Sequence, residues 1–153
     1  MNGQPGNTYV VKPGGSGDVS ETNRVWNAKV VGGRDLPTPA VVGDYELISS
    51  LSGMLTTYEA KTGKILFSER LGSQVSATPI TTGGLVYFQM ENGEVIVVKP
   101  GAKLEIVAKN SVTSDSAEIF RAILSPIKGQ WFARSGSTVY CIGKASATTG
   151  SGK

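Results

Sequence analysis

The chain has 153 residues, of which 39% are hydrophobic and 18% charged, and its net charge is +3. That is long enough for one domain with a real core and too apolar for a disordered protein. No apolar run approaches the ~20 residues of a membrane-spanning helix, and the scattered basic residues form no patch for nucleic acid.

Residues 8–12 read as a strand, and Pro13-Gly14-Gly15-Ser16-Gly17-Asp18 is a loop. Residues 24–30 are the next strand, ended by Gly32-Gly33. Four strands then follow at 39–42, 45–50, 55–60 and 65–71. Their turns are Gly43-Asp44, Ser52-Gly53 and Lys61-Thr62-Gly63-Lys64, where Gly63 is free to take a positive φ. The order repeats at 77–82, 85–90, 94–99 and 104–109, with turns at Gly83-Gly84, Asn92-Gly93 and Pro100-Gly101. A third copy runs through 121–126, 130–134 and 138–142, turning at Lys128-Gly129 and Ser135-Gly136.

Pro39 to Pro79 and Gly53 to Gly93 share one offset of about 40 residues, in the range of propeller blades. Val11-Lys12-Pro13-Gly14 repeats Val98-Lys99-Pro100-Gly101, so the chain opens on a third strand. A four-stranded meander has two apolar faces that it cannot bury alone, and radial stacking buries them against neighbours. The expected fold is all-β, built from antiparallel four-stranded blades of a β-propeller in an incomplete arc. Thr38 and Thr78 should lie nearest the axis. A sandwich is the alternative for short strands, less favoured because one offset runs through strands and turns alike. The expected divisions are a flexible N-terminus at 1–7, a half blade at 8–31, blades at 36–71 and 76–110, a partial blade at 120–143 and a disordered tail at 144–153.

At Tyr58-Glu59-Ala60-Lys61-Thr62-Gly63-Lys64-Ile65-Leu66-Phe67 the chain resembles the PQQ-like β-propeller repeat family, named after the quinoprotein dehydrogenases. The family's blade signature is roughly Ala-x-Asp-x-x-Thr-Gly-Lys-x-x-Trp. Glu59 stands near its Asp position, Thr62-Gly63 at its turn and Phe67 at its Trp position; Val25-Trp26 matches the Trp strand in the first half blade. The resemblance implies that this aromatic packs between blades while the Thr-Gly turn hydrogen-bonds it. In the second full blade Pro100-Gly101-Ala102-Lys103 replaces the turn. Family propellers have seven or eight blades, so the resemblance also implies association with missing blades or with another copy. It further implies a place outside the cytoplasm, in the periplasm or outer envelope. Residues 1–6 lack the basic and apolar regions of a signal peptide. The chain is therefore expected either to be cytosolic or to begin inside a longer product.

Chemistry is sparse. The chain has no histidine, which excludes Ser-His-Asp and Cys-His catalysis and histidine metal sites. Cys141 is the single cysteine, expected as a small core residue of an alternating strand. Glu91 and Glu94 flank a turn and are expected to be solvated. No set of residues suggests a Ca²⁺ site or a quinone cavity, so no cofactor, no metal and no catalytic residue is expected. A binding surface belongs on loops leading into first strands and between second and third strands, where Arg34, Gln74, Phe120 and Arg121 are the candidates. The expected function is a non-enzymatic scaffold presenting these loops to a protein or polymer, like the family's assembly lipoproteins. The alternatives are part of a quinone-dependent dehydrogenase, or an accessory propeller of a sensor or carbohydrate-related protein.

Overall fold

The computed structural model describes residues 7–29, 37–113, 115 and 117–143. Arg34 and the segments 1–6 and 144–153 lie outside them. Among these residues thirteen strands form four separate antiparallel sheets of two, four, four and three strands. Blade one is β1 (Asn7–Val11) and β2 (Arg24–Lys29). Blade two is β3 (Ala40–Val42), β4 (Tyr45–Ser49), β5 (Met54–Glu59) and β6 (Ile65–Arg70). Blade three is β7 (Ile80–Thr82), β8 (Leu85–Gln89), β9 (Glu94–Lys99) and β10 (Glu105–Ser111). The partial blade is β11 (Ser125–Ile127), β12 (Gln130–Arg134) and β13 (Val139–Ile142).

Within each sheet consecutive strands are neighbours, so every blade is a meander. Its side chains alternate between two faces, and three apolar clusters fill the three junctions. Trp26, Ile48 and Tyr58 join blades one and two. Leu47 and Leu55 of blade two meet Val86, Phe88, Ile96 and Val98 of blade three. Val95 of blade three meets Phe120, Leu124 and Ala133 of the last unit. The first strands β3 and β7 approach each other. There the Thr78 hydroxyl donates to Thr38 Oγ1 at 3.2 Å, bringing together the two threonines expected nearest the axis.

The outer strand of each of the first three blades carries a β-bulge at the same place. Pairing skips Val25, Leu66 and Val107. Register then aligns Trp26, opposite Val10, with Phe67, opposite Thr57, and Ala108, opposite Val97. The docking position thus falls from tryptophan to phenylalanine to alanine along the chain. The bulge also puts Ile65 on the face of Tyr58 while Phe67 takes the opposite face.

Two expectations are corrected. Residues 121–124 are not strand: the first strand of the last unit is Ser125–Ile127. The Phe120 N–H donates to the Glu91 carbonyl at 2.9 Å, which binds the preceding segment to the blade-three turn instead of to a sheet partner. Cys141 is exposed rather than core. It pairs with Phe132 on the face turned away from blade three, where no further blade covers it among the described residues.

Thr57 is fully buried, and its hydroxyl has no hydrogen-bond partner among the described residues. At the same place in blade three the chain carries Val97. Thr57→Val keeps the shape and removes a desolvated hydroxyl. It is expected to stabilise the protein by about 1 kcal/mol, raising Tm by about 2–4 °C in calorimetry.

Candidate functional site

Each meander has two ends. One carries the turns between first and second and between third and fourth strands; the other carries the turns between second and third strands and the connections to the next blade. The first end holds the blade-docking residues. Glu59 accepts a hydrogen bond from the Thr62 hydroxyl, and its carbonyl takes the Gly63 N–H at 2.9 Å. The turn closes with Gly63 at φ +73°, against the Trp26 ring; a β-carbon there would lie 2.5 Å from Trp26 Cδ2. Trp26 Nε1 donates to the Ala60 carbonyl at 2.8 Å, and its ring stacks on Tyr58 at 5.8 Å. Trp26, Glu59, Thr62, Gly63 and Ala60 therefore form one unit spanning two blades. Phe67 is half-buried against the next junction, in the cluster that also contains Leu104 and Ile106.

The other end holds a groove of about 350 Å³ lined by Leu51, Gln74, Ser76, Glu91 and Arg121. Four chain segments build it: the second-to-third-strand turns of blades two and three, and the connections that leave those two blades. Backbone bonds fix them together. The Val75 N–H donates to Leu51 O at 3.2 Å, the Glu91 N–H to Gln74 O at 2.8 Å, and the Phe120 N–H to Glu91 O. Val75 and Phe120 are both fully buried plugs beneath the connections. Of the four loop candidates, the structure brings Gln74 and Arg121 to one groove and buries Phe120 under it; Arg34 lies outside the described residues.

Glu91 is the residue that the sequence reading missed. Its side chain is only 12% exposed against 68% for Arg121, and Arg121 Nε donates to Glu91 Oε1 at 3.3 Å. The Ser76 hydroxyl donates to the same carboxylate oxygen. The expectation of a solvated glutamate is corrected by these two donors. One signal was present: the equivalent turn residue in blade two is Leu51, so the repeat marks this position as partly sheltered. Among the described residues Arg121 uses only Nε, leaving both terminal amino groups of its fork for a ligand. A guanidinium held by one edge suits a carboxylate approaching the other.

Glu118, on the same connection, is committed elsewhere. Hydroxyls of Ser135 and Ser137 hold its carboxyl below the ordinary glutamate range. Ser137 Oγ donates to it at 2.6 Å and Thr138 Oγ1 at 3.1 Å. Its carboxylate ties the connection to the turn of the partial blade. Among the described residues no group of three or more Asp, Glu, Cys or His side chains is placed to hold a metal ion. No helix there is long and apolar enough to cross a membrane.

A family model described as outer membrane protein assembly factor BamB matches residues 16–144. The curated outer membrane protein assembly factor BamB of Burkholderia pseudomallei (strain K96243) is 33% identical over 86 residues, 56% of this chain and 23% of the relative. The chain thus spans about a quarter of that relative's length. Among solved structures, BamB from Moraxella catarrhalis superposes with a TM-score of 0.66 at 13% identity, over 79% of this chain and 37% of that one. The quinohemoprotein alcohol dehydrogenase ADHIIG from Pseudomonas putida HK5 superposes with a TM-score of 0.54 at 12% identity, over 65% and 16%. At these identities both structures report the fold alone, an all-β propeller whose arc in this chain is not closed.

Proposed function

Because this chain belongs to the outer membrane protein assembly factor BamB family, we propose that it is a non-enzymatic propeller scaffold that binds a protein partner in outer-membrane assembly, outside the cytoplasm. The observation that carries this reading is the groove that unites Gln74, Glu91 and Arg121. It lies where neighbouring blades meet, its walls are backbone-braced, and it offers a guanidinium fork with Leu51 as apolar floor. Such a surface suits an extended acidic segment of a partner rather than a reaction. The shared fold of the quinohemoprotein favours no second reading, since fold does not fix function.

A photo-crosslinking residue at Gln74 tests this in cells. One envelope polypeptide is expected as the product, and Arg121→Glu is expected to cut its yield at least ten-fold. Lys103→Glu, in a turn at the opposite end of blade three, should leave the yield unchanged. Equal loss in both variants, or dye reduction on adding the quinone with Ca²⁺, would overturn the proposal.

A further inference from the structure

A ladder of backbone hydrogen bonds crosses the blades at the groove end. The Val75 N–H donates to Leu51 O, and the Glu91 N–H to Gln74 O. The Phe120 N–H donates to Glu91 O, and the Gly136 N–H to Ile119 O at 3.1 Å. Each of these two connections is thus held between two turns, and the turn between β8 and β9 stands in the middle of the ladder. A second bond fastens that turn to the following connection, from the Val112 N–H to Gly93 O at 3.0 Å. Glu91 and Gly93 therefore anchor the connection from either side of Asn92.

An asparagine followed by glycine is open to attack by the glycine nitrogen, because glycine has no β-carbon to obstruct the approach. The Gly93 nitrogen bonds to Asn92 Cγ, the Cγ–Nδ2 bond breaks and ammonia leaves, giving a five-membered succinimide. Water then opens the ring at either carbonyl, giving aspartate or isoaspartate. In isoaspartate the main chain runs through the β-carbon and is one methylene longer. No oxidant or reductant takes part.

In the closed turn both reacting groups are held. The Gly93 N–H donates to the Met90 carbonyl at 3.1 Å. Asn92 Nδ2 donates to Glu94 Oε2 at 2.9 Å, and Asn92 Oδ1 accepts the Glu94 N–H at 3.2 Å. Attack needs the Gly93 nitrogen free of its proton and the carboxamide free to swing, so it proceeds from the open turn. Blade two carries Ser52-Gly53 at the same place, which has no side-chain amide to lose.

We propose that Asn92 is a modification site, converted to isoaspartate when the β8–β9 turn opens, and that the conversion releases the connection at 112–124 from blade three. The extra methylene lies between the two acceptors, Glu91 O and Gly93 O, so Val112 and Phe120 do not both keep their bonds. Arg121 is carried on the same segment and separates from Glu91. The site is independent of what the groove binds.

The test incubates the full chain at mildly alkaline pH. Isoaspartate at Asn92 is read by peptide mapping, which separates it from the other Asn-Gly pair, Asn2-Gly3. A synthetic peptide of residues 89–95 gives the rate without the fold. The folded chain is expected to react at least ten-fold more slowly than the peptide, by the same factor that slows hydrogen exchange of the Gly93 amide, since both need that N–H released. The purified isoaspartate form should lose exchange protection at Val112 or Phe120 by at least ten-fold while β4 and β5 keep theirs. Asn92→Asp, which adds charge without length, should keep both bonds, and Asn92→Ser should form no isoaspartate there. A folded-chain rate equal to that of the peptide overturns the proposal. So does an absence of isoaspartate at Asn92 once the time set by Gly93 exchange has passed. Full protection of Val112 and Phe120 in the isoaspartate form overturns it as well, as does an equal loss in Asn92→Asp.

Discussion

Gly53→Ala is expected to lower Tm by about 10 °C, the largest effect of any single added methyl. Gly53 sits at φ +84°, in the turn between β4 and β5, and a β-carbon there would overlap the Ser73 carbonyl oxygen and lie 2.5 Å from that of Gly72. Two costs combine. Holding an L-residue in the left-handed region costs about 1–2 kcal/mol, and overpacking adds about 1–3 kcal/mol. The upper end applies because the obstacles are backbone. The Leu71 N–H donates to the Gly53 carbonyl at 2.8 Å, so turn and inter-blade connection cannot part freely. About 3–5 kcal/mol at roughly 2–4 °C per kcal/mol gives the stated shift. Gly83→Ala is the control: it has φ +58° with nothing within 4 Å of the added carbon, so only the backbone cost remains. A calorimetric Tm for Gly53→Ala within 2 °C of that control would refute the close approach.

The second large effect concerns Trp26. Trp26→Ala is expected to cost about 3–5 kcal/mol, in the range of large aromatic truncations. The residue is buried. Its loss removes the stacking on Tyr58, the filling over Gly63 and the bond to the Ala60 carbonyl. Trp26→Phe keeps most of the ring and loses the indole donor, so about 1 kcal/mol is expected. The loss should be local. Blade one meets the rest of the described chain through the cluster around Trp26, so amide exchange in Asn7–Lys29 should accelerate in Trp26→Ala while β8 and β9 keep their protection. Uniform acceleration through blade three would show that blade one is not a separable unit.

The blades were legible because their two signals agree. Alternation over β5 and short apolar runs such as that of β9 mark strands, and Gly53 and Gly93 mark turns that only glycine forms easily, so a constant spacing emerges from both. The family aromatic at Trp26 and the turn at Thr62-Gly63 were also visible, and the resemblance implied their meeting between blades; that the indole donates to the Ala60 carbonyl was not legible. The loop candidates were half legible. Gln74 and Arg121 do reach one groove, while Phe120 serves as a plug equivalent to Val75. Sequence does not show that equivalence, because the connection at 112–124 is longer than that at 71–79 and the common offset fails there. Glu91 was misread for a different reason. Its shelter comes from Ser76 and Arg121, fifteen and thirty positions away, and no local pattern encodes such a meeting. Cys141 was misread because alternation predicts which face a residue takes but not whether anything covers that face.

The extra residue in each outer strand bears on cooperativity. Counting by twos would give Ile65 and Phe67 one address, and likewise Ile106 and Ala108; with the skipped residue between them, each pair splits. One short strand then turns its first side chain toward the unit behind it and the next toward the unit ahead. A stack of simple slabs would come apart one interface at a time, whereas slabs stitched through a common strand must loosen two interfaces together. The interior of this arc should therefore melt as one block, leaving only its outermost units free to fray.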